Sequence, residues 1–211
     1  MMPRPLVLAS CAAALLLAKP SRAVERVETD ASLGFALPAG SLERGSRVAD
    51  TTYGAIPLRL DGAAFLAPSL ALRASASFAV AIPKLCASAG DCASSLGHDV
   101  AVDLGARFAF HDVWRFAPRL DVGVGWEWYG SALSDHGVSS TRSYSGPTFV
   151  SLAIAMPIRF GDHFAIGPSS SVRAGTFTSA TLTTPGATAS RLDGAALHAW
   201  LGAAIDARLA F

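Results

Sequence analysis

The chain has 211 residues, a formal charge of +1, 51% hydrophobic residues and a mean hydropathy of +0.39. This composition is too apolar for an ordinary soluble enzyme, and the near-zero charge gives nucleic acid no reason to bind. Beyond its first residues the chain also lacks the long apolar runs of a helical membrane protein.

The one long apolar run opens the chain. Arg4 supplies a positive n-region, residues 6–18 an apolar h-region, and Ser21-Arg22-Ala23 a small-x-small site, the three parts of a secretory signal peptide. Cleavage is expected after Ala23, so residues 1–23 leave and residues 24–211 form one domain. A membrane anchor is the alternative, but the run is shorter than the ~20 residues that a spanning helix requires. Leu8-Ala9-Ser10-Cys11 matches a lipoprotein processing site, yet Cys11 comes before most of the apolar run and is expected to leave with the signal.

The mature chain then alternates apolar and polar positions with a period of two, segment after segment, which is the pattern of strands. In residues 31–39, Leu33, Phe35 and Leu37 oppose Ser32, Gly34 and Ala36. A polar stretch, 40–52, leads to 53–65, where Ile56, Leu58 and Leu60 oppose Pro57, Arg59 and Asp61. A tight turn at 66–69 precedes 70–82, where Leu72, Phe78, Val80 and Ile82 oppose Arg73, Ser75 and Ser77.

The loop 83–97 carries Cys86 and Cys92, expected to close a small disulfide in an oxidising compartment. A metal pair would need further ligands, and only His98 is near. In 98–110, Val100, Val102, Leu104, Phe108 and Phe110 share one face, with Asp99, Asp103, Gly105 and Arg107 on the other. After the turn 111–117 comes 119–129, the cleanest alternation: Leu120, Val122, Val124, Trp126 and Trp128 against Arg119, Asp121, Gly123, Gly125 and Glu127.

A serine-rich stretch without periodicity, 131–146, reads as a loop. In 147–160, Val150, Leu152, Ile154, Met156 and Ile158 oppose Ser151, Ala153, Ala155 and Arg159. The turn 161–164 leads to the weakest segment, 165–182, with Ser171, Arg173 and Gly175 as its polar side. A loop, 183–193, precedes 195–211, where Leu201, Ala203, Ile205, Ala207, Leu209 and Phe211 oppose His198, Gly202, Asp206 and Arg208.

Short turns thus alternate with long polar loops, the connectivity of an all-β, antiparallel up-and-down meander of about eight strands. A sheet can cross lipid only when closed, because every backbone N–H and C=O must be paired there. The fold class expected is therefore a transmembrane β-barrel with oily faces toward lipid and charged faces inward. The lumen would hold Arg59, Arg73, Arg107, Arg119, Arg159, Arg173 and Arg208 with Asp61, Asp103, Asp121, Glu127 and Asp206. In so small a space these charges should pair.

A soluble, lipocalin-like binding barrel would reverse the faces. Against it, the mature chain has Lys84 as its single lysine, whereas soluble surfaces carry many. Aromatics also gather at strand ends: Phe65, Phe110, Phe116, Phe160, Phe164 and Phe211 near the turns, Trp126, Trp128, Tyr129 and Phe149 toward the loops. Two such girdles suit the two membrane interfaces.

These features, with the closing Ile205-Asp206-Ala207-Arg208-Leu209-Ala210-Phe211, resemble the small eight-stranded outer-membrane β-barrels of Gram-negative bacteria, the OmpA/OmpX-like group. The resemblance implies an outer-membrane location, lipid and lipopolysaccharide as surroundings, and a terminal strand read by the barrel-assembly machinery. Ile205, Leu209 and Phe211 match that assembly signal, while Ala207 is a weak position. It implies function only loosely.

Motifs for chemistry are sparse. The lumen of an eight-stranded barrel is just wide enough for its own side chains, so a structural or surface-interaction role is expected, with a narrow channel as the alternative. A lipid-modifying enzyme would need a nucleophile, a histidine and a carboxylate. His98 has the lipid-facing parity and His198 the lumen parity near the loop end, where a water-bonded rim residue is expected; no Gly-x-Ser-x-Gly frames a serine. Gly123-x-Gly125 lies within a strand, with no following helix to hold a nucleotide, and reads as room for lumen arginines. No enzyme activity, cofactor, metal or nucleic-acid partner is expected; a monomer with an unidentified partner for its outward loops is.

Overall fold

The computed structural model describes residues 26–84, 92–93, 97–135, 138–190, 192 and 194–211. Eight long strands dominate: β1 (Arg26–Glu43), β2 (Thr52–Ala67), β3 (Leu70–Pro83), β4 (Gly97–Ala109), β5 (Arg119–Asp135), β6 (Val138–Ala155), β7 (Phe164–Thr176) and β8 (Leu197–Ala210). Each pairs antiparallel with the next along the chain. β1 also pairs with β8, from Glu28↔Ala210 to Gly40↔His198, and this last ladder closes the sheet. Closure removes the free edges that would otherwise leave unpaired backbone groups in lipid.

The side chains divide as the alternation requires. Leu33, Leu72 and Leu104 are 59%, 61% and 65% exposed on the outside, whereas Arg107 and Glu127 are 0% exposed within. A soluble barrel has the opposite polarity, so the lipocalin-like alternative falls. Phe110, Phe160, Phe164 and Phe211 stand outside at the turn end, and Tyr53, Trp126 and Phe149 stand outside elsewhere. Phe149 and Val150 are both outward because a register shift at Gly123/Gly125 places an extra residue on β6, the local arrangement of a β-bulge.

Several expectations are corrected. β1 begins at Arg26, not at 31, and its added residues bring Glu28 and Asp30 into the lumen. Residues 131–135 and 138–146 continue the β5–β6 ladder, with Ser131↔Arg142 and Ala132↔Thr141 paired. Ser131 and Tyr144 still face inward, 5% and 2% exposed, while the outward positions Thr141 and Ser143 are polar, so pairing continues without an apolar outer face. β7 stops at Thr176, and Ser179–Thr184 forms a separate strand hairpinned with Ala187–Ser190.

Phe65 and Tyr129 are not girdle residues. Both point inward and are 1% exposed; Phe65 lies under the Arg26 guanidinium, 4.1 Å from its ring centre, and Tyr129 shares a hydrogen bond with Thr51 at 3.0 Å. Residues 1–23 and Cys86 lie outside the described residues, while the backbone of Cys92 pairs with Ser134 of β5.

A charge-filled lumen as the candidate functional site

The polar sides of the strands meet in three tiers. The tier nearest the short turns centres on Arg107. It lies directly across the β4–β5 ladder from Asp121 and donates to both carboxylate oxygens, from Nε at 2.8 Å and Nη2 at 3.0 Å. Its Nη1 reaches across to β1, donating to Asp30 at 2.5 Å and Glu28 at 3.2 Å. Arg119 donates to Asp30 at 2.5 Å and to Asp206 at 3.1 Å. Asp61 accepts from Arg59 Nε at 3.1 Å and Arg73 Nε at 2.6 Å.

This sharing is what makes the tier tolerable in a low dielectric. Desolvating each ion costs several kcal/mol, which the shared contacts offset, although Arg73 Nη1 and Arg119 Nε are buried without a hydrogen-bond partner. Arginine suits the task because its planar fork spans a carboxylate and still has donors for a second.

In the middle tier, Asp103 accepts from Ser75 at 3.2 Å and from Ser151 at 3.5 Å. Beside it is a cavity of about 70 Å³ with a mixed lining, in which Ser32, Ser77, Ser151 and Ser171 stand among alanines such as Ala36, Ala79 and Ala153.

The tier nearest the loops turns on Glu127. Its Oε1 accepts from Trp200 Nε1 at 2.8 Å, and its Oε2 lies 3.1 Å from His198 Nε2 and 3.2 Å from Arg173 Nε. Arg173 also holds Asp99 and donates to Ser77 at 3.1 Å. The His198 ring stacks on Phe177, with centres 4.0 Å apart and planes 3° from parallel. Above lies an apolar cap of Leu42, Val48, Tyr129, Tyr144, Phe177 and Trp200. A single helical turn, α1 (Val48–Thr51), contributes Val48 to this cap.

Eleven of the twelve charges expected in the lumen are brought together: Arg59, Asp61, Arg73, Arg107, Arg119, Asp121, Asp206 and Arg208 in the first tier, Asp103 in the middle, Glu127 and Arg173 above. Arg159 is the exception. It lies past Pro157, where the short strand Ile158–Phe160 follows β6, and pairs at 2.5 Å with Asp112 at the turn-side mouth. His198 is also corrected: it is 1% exposed, bound to Glu127, and is not a water-bonded rim residue. His98 lies on the outer face as expected.

Glu28, Asp30, Asp99 and Trp200 complete the network beyond those twelve. Their signal was parity alone, since each falls in step with polar or charged positions on its own strand. The glycines of β4 and β5 are explained differently than expected. A Cβ at Gly105 would enter the Val122 carbonyl, and one at Gly125 the Val102 carbonyl, so these glycines permit close backbone approach. At Gly123 an added Cβ would lie 2.9 Å from the Leu104 carbonyl oxygen and 3.7 Å from Arg73 Nη1.

No family model and no curated protein matches the chain. Among solved structures it is similar to Ail, the attachment invasion locus protein of Yersinia pestis, at 15% identity and a TM-score of 0.50, over 87% of this chain and 98% of that one. It is also similar to a major outer membrane protein of Thermus thermophilus, at 12% identity and a TM-score of 0.53, over 88% and 99%. At such identities the likeness concerns fold alone. Together with the closed antiparallel sheet, it defines the chain as a small eight-stranded β-barrel of the outer-membrane type. The apolar exterior makes lipid its solvent, and the outer membrane is where this architecture resides.

Proposed function

We propose that the chain is a plugged, monomeric barrel that stabilises the envelope and presents its long connections outward, without a wide pore and without enzymatic activity. The observation that carries this reading is Arg107, fully buried and bonded to carboxylates of β1 and β5 so that it bridges the lumen. Glu127 does the same between β5, β7 and β8, under the aromatic cap. His198 has its Nε2 directed at Glu127 and its ring stacked on Phe177, an arrangement that favours a structural role over one as a catalytic base.

The test is ion conductance across a planar bilayer. The native barrel should give no steady open-pore current, whereas Arg107→Ala or Arg119→Ala should raise conductance by opening the plug. A large steady current from the native protein would overturn the reading. Mass spectrometry of lipid A from cells with and without the protein separates this reading from a lipid-modifying enzyme. We further propose that Ile205, Leu209 and Phe211 are the assembly signal, that Cys86 and Cys92 form a disulfide, and that lipid and lipopolysaccharide surround the barrel.

A further inference from the structure

We propose that the turn-side mouth of the barrel is a binding site for a phosphate-type oxyanion. Two adjoining cavities of about 40 and 10 Å³ lie there, and Arg26, Arg159 and Arg208 line both. The larger has room for roughly three water-sized groups, enough for a small oxyanion in place of water. It is completed by Glu28 and by the turn residues Gly161, Asp162 and His163 with Phe164.

Arg208 gives the cavity its direction. The residue is 6% exposed, and among the described residues the one ion pair of its guanidinium is with Glu28, at 3.5 Å. Glu28 is shared, since the same carboxylate also serves Arg26 at 3.0 Å and Arg107 at 3.2 Å. A guanidinium carries five N–H donors, and those of Arg208 that Glu28 does not engage are left to the water of the cavity or to an anion that replaces it.

The neighbouring cations are equally underused. Arg26 has a buried Nε without a partner. Arg159 is held by Asp112 through Nη1 alone, at 2.5 Å. His163 engages the Ala210 carbonyl oxygen at 3.0 Å through Nδ1, which leaves Nε2 available. Three guanidiniums and an imidazole thus surround a cavity whose two lining carboxylates are Glu28 and Asp162. Forked donors of this kind fit phosphate geometry.

The cavity also lies at the barrel rim. Phe164 and the exposed turn at 161–163 form one wall, beside the outward Phe160, and exposed aromatics of this kind mark the interface in barrels, so the oxyanion is either free phosphate or the phosphate of a phospholipid headgroup. Basic pockets near membrane faces hold headgroups by the same chemistry.

The experiment follows thermal unfolding of the full barrel, by heat-dependent gel mobility, in maltoside micelles. Inorganic phosphate and short-chain phosphatidylglycerol are each titrated against sodium chloride at matched ionic strength. A saturable rise in midpoint is expected, largely lost in Arg159→Gln and in Arg26→Gln, and kept in Arg44→Gln, which alters an exposed arginine at the loop end. A rise with both ligands means a free oxyanion suffices; a rise with the lipid alone assigns the headgroup. No rise with either, or a rise undiminished in Arg26→Gln, overturns the proposal. Arg26→Gln serves if Arg159→Gln fails to fold, since Arg26 has a 35% exposed side chain and lies at the end of its strand.

Discussion

Replacing Arg107 by alanine removes the residue on which the first tier converges. Four contacts are lost at once: two to Asp121 at 2.8 and 3.0 Å, one to Asp30 at 2.5 Å and one to Glu28 at 3.2 Å. Removing one partner of a buried ion pair costs about 3–5 kcal/mol, because the other is left charged and dry. Here each abandoned carboxylate keeps a second arginine: Asp121 has Arg73 at 3.5 Å, Asp30 has Arg119 at 2.5 Å, and Glu28 has Arg26 at 3.0 Å. The loss should therefore fall at the lower end, about 3 kcal/mol.

Arg107→Lys keeps the charge but not the fork on Asp121, and should cost about 1–2 kcal/mol. The measurement is urea unfolding of the barrel in lipid vesicles, followed by tryptophan fluorescence and gel mobility, with native and variant proteins compared at equal slope. If alanine costs less than about 1 kcal/mol, or if lysine costs as much as alanine, the shared network is not what stabilises the lumen.

Glu127→Gln should destabilise the barrel by about 2 kcal/mol, since Arg173 and Trp200 Nε1 both lose their charged acceptor; the altered Trp200 environment should show in near-ultraviolet circular dichroism. Gly125→Ala should cost at least ~1–3 kcal/mol by forcing a methyl against the Val102 carbonyl, and urea midpoints would reveal it. An Ala substitution at Gly161 or Gly186, where an added Cβ would meet open space, isolates the positive-φ effect, which should be smaller, about 1 kcal/mol. Thiol labelling of the unfolded mature protein should find neither Cys86 nor Cys92 free before reduction, while reduction should leave the gel mobility of the folded barrel unchanged.

The strand number and facing were legible because lipid on one side and charge on the other force a strict period of two. Leu120 to Trp128 and Leu201 to Phe211 face outward as the alternation requires. Legibility ended where that force ends. Glu28 and Asp30 were missed because Thr29 is a weak outward marker between them. The serine-rich ladder of 131–135 and 138–146 carried no apolar alternation to read, since outward positions such as Thr141 and Ser143 are polar. Phe65 and Tyr129 misled because residue type suggests a girdle while position dictates the lumen. The identity of each charge partner was hidden for another reason: Arg119 and Asp30 are 89 residues apart, and no local pattern joins them.

Those long separations bear on how the barrel can be made. Arg107 meets Asp30 across 77 residues, Arg119 meets Asp206 across 87, and Glu127 meets Trp200 across 73. A sheet of β1 to β7 without β8 would leave Arg119 lacking Asp206, Glu127 lacking Trp200, and two edges of backbone groups unpaired. Such a half-built sheet has one charged face and no enclosed space in which to hide it. Lipid thus acts as a proofreader of assembly, because strands that fail to complete the ring have no stable resting place in the bilayer.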